Sequence, residues 1–375
     1  LYHELFAHYA DNAKFNQKAK FLFFDFNGEY SGQKSIAEGK TVYNLSTRTE
    51  EGGDKLPLTR DDFLDTQLIS IFANATEKTK RPFINRTIRL YKKLNSDENT
   101  ARAYLQSQIC SILEMSDKVK GDTLMDYLEQ ILPPIYDSKT GVEIGLRSDV
   151  RFHNTNNYYY IVESGLNAYN TNFRDYPVKE LETTLYKQAG KYNFPSNVIE
   201  HFIHVMYMQL IFDVLNNRAM NEHIAPAINK LKASANSIGK VFDFSGQGSF
   251  WNTNKVVVSL RDVNLDMRKM VPMILTNKFY TEKKERKDKS TYLNFVVDEA
   301  HNVLSRQSER ESEEWKDYRL EVFEEVIKEG RKFGIFLTIA SQRPSDISPT
   351  IISQLHNYFI HRLMNERDIE QIRNT

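Results

Sequence analysis

The residues with the most evident chemistry stand at the end of an apolar run. Phe295-Val296-Val297 closes on two adjacent carboxylates, Asp298 and Glu299, followed by Ala300-His301. Such a run reads as a buried strand, and in open α/β sheets ligands gather at the carboxyl edge of the strands. There Asp298 can hold the water shell of a Mg²⁺ ion, which prefers oxygen ligands. Glu299 can orient or deprotonate an attacking water. The next apolar run, Gly334 to Ala340, ends in Ser341-Gln342-Arg343-Pro344. An amide at the tip of a neighbouring strand can sense a terminal phosphate or the attacking water, which makes Gln342 a sensor candidate. Between the two runs, Glu329-Gly330-Arg331-Lys332-Phe333-Gly334 sets two cations just before a strand begins. Arg331 so placed can reach a nucleotide held by an adjacent subunit, while both cations also suit an ordinary helix C-terminus. A third group is Phe24-Asp25-Phe26-Asn27-Gly28-Glu29-Tyr30. Gly28 permits a tight turn, so Asp25 and Glu29 can face the same phosphate pocket; an ordinary strand-to-loop exit would look the same.

The elements that must position these residues follow from hydrophobic patterning. Short apolar runs predict strands over Lys20–Phe26, Thr41–Leu45, Lys255–Leu260, Tyr292–Glu299, Gly334–Ala340 and Tyr358–Leu363. Helical spacing fills Leu1–Tyr9, Met267–Tyr280, Trp315–Lys332 and Ser348–Leu355. Strands alternating with helices indicate an α/β fold with a mainly parallel sheet. From Asp61 to about Ile238 the character changes. Leu124, Tyr127, Leu128 and Ile131, and likewise Ile203, Tyr207, Leu210 and Ile211, recur at helical spacing. The expected organisation is a core in two pieces, residues 1–60 and 240–375, interrupted by a mostly helical insertion over 61–239. Tyr158–Val162 is a small hairpin candidate within it.

Composition narrows the class. The chain has 375 residues, and its 50 Lys and Arg balance 50 Asp and Glu, so no global field draws it to nucleic acid. Two local runs remain as candidate phosphate contacts, Lys78-Thr79-Lys80-Arg81 on to Lys93, and Lys283-Lys284-Glu285-Arg286-Lys287-Asp288-Lys289. The single cysteine, Cys110, excludes an internal disulfide framework and fits a reducing cytosol. The most apolar helical run, Phe202–Leu215, is broken by His204 and Asp213 and falls short of a membrane span. His201 and His204 lack the partners of a zinc set. No Gly-x-x-x-x-Gly-Lys-Ser/Thr phosphate loop occurs. The chain starts in what reads as the middle of a helix and stops shortly after another helical pattern, so both ends read as cut, and the loop's expected place is immediately before Leu1.

Taken together, the motifs resemble the HerA branch of the HerA/FtsK superfamily of P-loop ATPases. Phe23 to Tyr30 looks like the family's strand after the phosphate loop, with Asn27 where a His is usual. Val296-Val297-Asp298-Glu299-Ala300-His301-Asn302 is similar to its Walker B strand. Glu329 to Gly334 looks like its arginine-finger turn, and Ala340 to Ile347 like its sensor strand and loop. The resemblance implies a RecA-like core assembled as a homo-hexamer that hydrolyses ATP with Mg²⁺. Glu299, Asp298, Gln342 and Arg331 would be catalytic. Asp25, Glu29, Arg343 and Lys332 would support the nucleotide. It further implies translocation of double-stranded DNA through the pore, in the cytoplasm, beside a nuclease or a sirtuin-type NADase effector, as in anti-phage defence. In an alternative, the ring is a scaffold that activates its effector with hydrolysis secondary. Asp298-Glu299-Ala300-His301 also spells the DEAH box of another helicase superfamily, but that superfamily's Ser-Ala-Thr and Gln-x-x-Gly-Arg motifs are absent. Departures from the HerA pattern are the missing Walker A, the missing N-terminal β-barrel and the large insertion.

Overall fold

The computed structural model describes residues 1–75, 80–94, 97–162, 171–172, 183–287, 290–306, 313–361 and 365–373. The chain divides into two compact units, Leu1–Thr76 with Ser234–Thr375, and Glu77–Ala233.

The first unit is built on five parallel strands, β1 (Ala19–Asp25), β2 (Thr41–Ser46), β3 (Lys255–Asp262), β4 (Tyr292–Val297) and β5 (Ile335–Ile339), in the order β5-β4-β1-β3-β2. This is the mainly parallel α/β arrangement of a RecA-like core. β1 and β4 lie inside the sheet, which is why their sequences are near-continuous apolar runs rather than alternations. On one face, Phe21, Phe23, Val257 and Val296 pack beneath the helix Tyr2–His8, with Phe6 meeting Phe21 edge-on at 4.8 Å between centroids. The alternate residues Leu22, Phe24, Val258, Phe295 and Val297 belong to the other face and are fully buried. The helices Leu265–Arg286 and Glu313–Glu329 connect β3 to β4 and β4 to β5. Both connections run the same way across the sheet, so right-handed crossovers put both helices on one face, and the two touch.

Residues 61–76 group with this unit. Phe63 packs on Phe244 and Phe72 on Phe242, while Lys278 pairs with Asp62 at 2.5 Å. The expected last strand, Tyr358–Leu363, does not form over 358–361, and its final two positions lie outside the described residues. Phe359 and Ile360 are exposed there, so the run lacks the burial that would make it a core strand.

The second unit is mostly helical. Its central helix, Val198–Leu215, touches the helices Lys80–Leu94, Glu98–Leu113 and Lys118–Glu129. Among the described residues it is the one helix long and apolar enough to cross a membrane by length and composition, and it is mostly buried in protein. Its polar breaks have local partners. Asp213, fully buried, accepts from Arg86 at 2.7 Å and from Gln209 at 2.9 Å. The ring of His201 stacks on Phe194, and His204 Nδ1 meets the Tyr192 hydroxyl at 3.0 Å. A three-stranded antiparallel sheet, Val150–His153, Tyr158–Ile161 and Thr171–Asn172, completes the unit.

Candidate active site

Register brings the acidic residues to one edge. Phe24 pairs with Val297, and Val297 with Ile339, so β1, β4 and β5 end flush with Asp25, Asp298 and Ala340 at their tips. Backbone bonds fasten these tips together: Asp298 N–H donates to Phe24 O, Ala340 N–H to Val297 O, and Ala300 N–H to Ala340 O.

Between those anchors Glu299 takes a left-handed conformation, φ +41°, one that costs a non-glycine residue of order 1–3 kcal/mol and that functional sites commonly retain. Asn302 holds it, since both its backbone N–H and its side-chain amide donate to Glu299 O at 2.9 Å. The Glu299 carboxylate then meets the neighbouring strand tip: Gln342 Nε2 donates to Oε1 at 2.7 Å. Glu299 and Gln342, inferred as base and sensor, are thus in direct contact.

Asp298 sits among like charges. Burial, with the charges of Glu299, Glu29 and Asp25 adding to it, pushes its carboxyl up to about 6. The Tyr30 phenol hydrogen-bonds to Asp298, and burial together with that carboxylate holds the phenol's proton well above its ordinary range. Tyr30 was not anticipated; it is reached because the loop after β1 folds back on itself. Asp25 does that folding. It is fully buried, and its two oxygens accept from the backbone N–H groups of Gly28 (2.7 Å), Glu29 (3.1 Å) and Tyr30 (2.9 Å). Gly28, at φ +80°, makes the turn possible. Both oxygens of Asp25 thus face the loop that follows β1. Glu29 is exposed, with Asn27 3.4 Å away.

The remaining cations divide. Arg343 is exposed beside Gln342, its N–H donating to Ser341 Oγ. Arg331 and Lys332 occupy the turn Gly330–Phe333 at the opposite, N-terminal end of β5, and Lys332 pairs with Glu329. At a strand rise of about 3.3 Å per residue they lie roughly 20 Å from the acidic tips. Gly334, at φ +72° with a virtual Cβ 2.9 Å from Thr291 O, fixes that turn. Within one chain, then, Arg331 does not meet Glu299. Of the basic runs, Lys78, Thr79, Asp288 and Lys289 lie outside the described residues, while Lys283 is bonded to Thr291 O and Lys284 to Glu325.

The donor set bears on a metal. Among the described residues no cluster of three His, Cys, Asp or Glu could cage an ion. A half-buried carboxylate crowded by other carboxylates instead fits a hard divalent cation that takes one protein oxygen and fills its shell from water and phosphate.

Comparison with known proteins finds relatives among DNA repair helicases. The chain is 27% identical over 205 residues to the DNA double-strand break repair helicase HerA of Sulfurisphaera tokodaii, covering 52% of this chain and 39% of that protein. It is 28% identical over 168 residues to HerA of Sulfolobus acidocaldarius, covering 42% and 32% of the two chains. Over 121 residues it is 32% identical to HerA of Saccharolobus solfataricus, covering 31% and 23%. The chain is HerA-like. This HerA-like chain spans less than half the length of the relatives it matches. No protein-family profile matches it.

Proposed function

We propose that this HerA-like chain carries the hydrolytic side of an ATP site in a ring, as one of six subunits, whose turnover moves or unwinds double-stranded DNA. The observation that carries the reading is the contact between Glu299, at the end of β4, and Gln342, at the tip of β5, beside the crowded Asp298. Glu299 would take a proton from water as the water oxygen bonds to the γ-phosphorus and the bond to ADP breaks. Gln342 would exchange its bond to Glu299 for one to the γ-phosphate or the water. Asp298 would hold Mg²⁺, whose chemistry is to neutralise charge on the phosphate oxygens. Tyr30, Asp25 and Glu29 would shape that wall, with Arg343 beside the phosphate. Arg331, remote from its own chain's carboxylates, would serve an adjacent subunit, with Lys332 next to it. Relatives named as DNA double-strand break repair helicases support DNA as the track. A cytoplasmic setting and a nuclease or NADase effector in antiviral defence extend the same reading.

The test is Glu299→Gln in the full-length protein. It keeps the residue's shape but removes the base, so ATP should still bind while hydrolysis falls by about 10²-fold or more. Turnover at the wild-type rate would refute the assignment.

A further inference from the structure

His301 and Ser341, to which the proposed chemistry assigns no part, converge on Glu299. His301 Nδ1 lies 3.3 Å from Glu299 Oε2 and 3.4 Å from Ser341 Oγ. Oε2 is closed to solvent and has no well-formed hydrogen bond, whereas Oε1 is tied to Gln342 at 2.7 Å. The carboxylate therefore has one firm hold and one loose one.

The firm hold is the one that Gln342 gives up when it turns to the phosphate or the water. An oxygen that accepts Gln342's amide keeps a second lone pair for a proton, but once Gln342 turns to the phosphate or the water that oxygen loses its donor, and a carboxylate oxygen left without a donor is costly. The backbone offers little relief, because Glu299 is pinned at positive φ by Asn302. His301 is itself fixed: it opens the short helix His301–Leu304, and the buried Arg319 closes that helix by donating to Val303 O and Ser305 O.

We infer that His301 is a positioning residue for Glu299. Its Nδ1–H is shared between Glu299 Oε2 and Ser341 Oγ and shifts fully onto Oε2 when Gln342 lets go of Oε1. The carboxylate stays aimed while its other oxygen is freed, and Ser341 is the partner that accepts the same N–H when Glu299 is tied to Gln342. This inference rests on Glu299 being the base.

The experiment measures ATP turnover by full-length protein carrying His301→Asn, His301→Gln or His301→Leu. Asparagine can bring an amide N–H to the place of Nδ1; glutamine extends past it toward Nε2, and leucine has no donor. Expected is a kcat about tenfold or more below wild type for the Leu and Gln variants, with KM for ATP within about twofold, as for a misaligned base. His301→Asn should return to within about threefold of wild type. His301→Leu or His301→Gln turning over at the wild-type rate, or His301→Asn as slow as His301→Gln, would overturn the inference. Should His301→Leu fail to fold, the Asn and Gln pair decides it alone. Glu299→Gln runs alongside: if that variant turns over normally, the reading of Glu299 as base fails, whatever the His301 variants do.

Discussion

At the scale of single residues, the acidic edge shows which chemistry a sequence exposes and which it hides. Asp298, Glu299 and Gln342 are legible because each follows an apolar run, and a parallel register turns run endings into neighbours. The part played by Asp25 is hidden. Its position marks it as a site residue, but only the folded loop shows both of its oxygens facing backbone N–H groups. The hold of His301 on Glu299 is equally invisible, since it depends on a left-handed backbone at a residue type that rarely adopts one. The Asp25 bonds lead to a prediction. Asp25→Ala leaves three partly buried loop N–H groups without their acceptor, costing about 1–3 kcal/mol in all where water replaces part of the bonding. Denaturant titration should show a lower midpoint, and ATP turnover should drop because Tyr30 loses its place against Asp298. A variant with an unchanged midpoint would mean the loop is held by something other than Asp25.

At the scale of elements, strand interiors are legible because the middles of β1, β3 and β4 are buried on both faces and so carry runs such as Phe21–Phe24, Val256–Val258 and Phe295–Val297. The Tyr358 run is similarly apolar yet forms no strand over its described part, where Phe359 and Ile360 stand exposed. Composition records what could be buried, not what is. The helix Val198–Leu215 is the converse case, where the buried Gln209 and Asp213 sit in the core of the second unit bonded to each other and, for Asp213, to Arg86. Removing one partner should be expensive: Arg86→Leu strands a buried Asp213 charge and should cost about 3–5 kcal/mol, read by chemical denaturation; a loss below about 1 kcal/mol would mean that water replaces the arginine. The same helix sets a pH dependence. Burial, with Lys232 nearby, pulls His204 down to about 4 from its ordinary value near 6.5. The unfolded chain then binds more protons than the folded one between those values. Stability from this group is full above about pH 6.5 and is lost as pH falls toward 4. Thermal melts across that range should fall with acidification, and His204→Gln should flatten part of the slope; an identical slope in the variant would assign the acid sensitivity elsewhere.

At the scale of the whole molecule, the placement of Arg331 matters most. A strand separates it from the carboxylates of its own chain, so in the proposed ring it would reach a γ-phosphate held by a second copy. A balanced net charge gives the chain no long-range pull of its own on DNA; in the proposed ring, assembly would be the step that concentrates local basic groups around a track. Shared sites can be distinguished from self-contained ones by mixing two dead proteins. Arg331→Ala retains Glu299, and Glu299→Gln retains Arg331, so each alone should be inactive. In rings co-assembled from equal amounts of both, about a quarter of the interfaces pair an intact Glu299 with an intact Arg331 from the next subunit. Turnover should recover toward that fraction of wild type, and should follow the mixing ratio with a maximum at equal amounts. If Arg331 acted within its own chain, no mixture would contain a complete site and every ratio would stay at the level of the two parents.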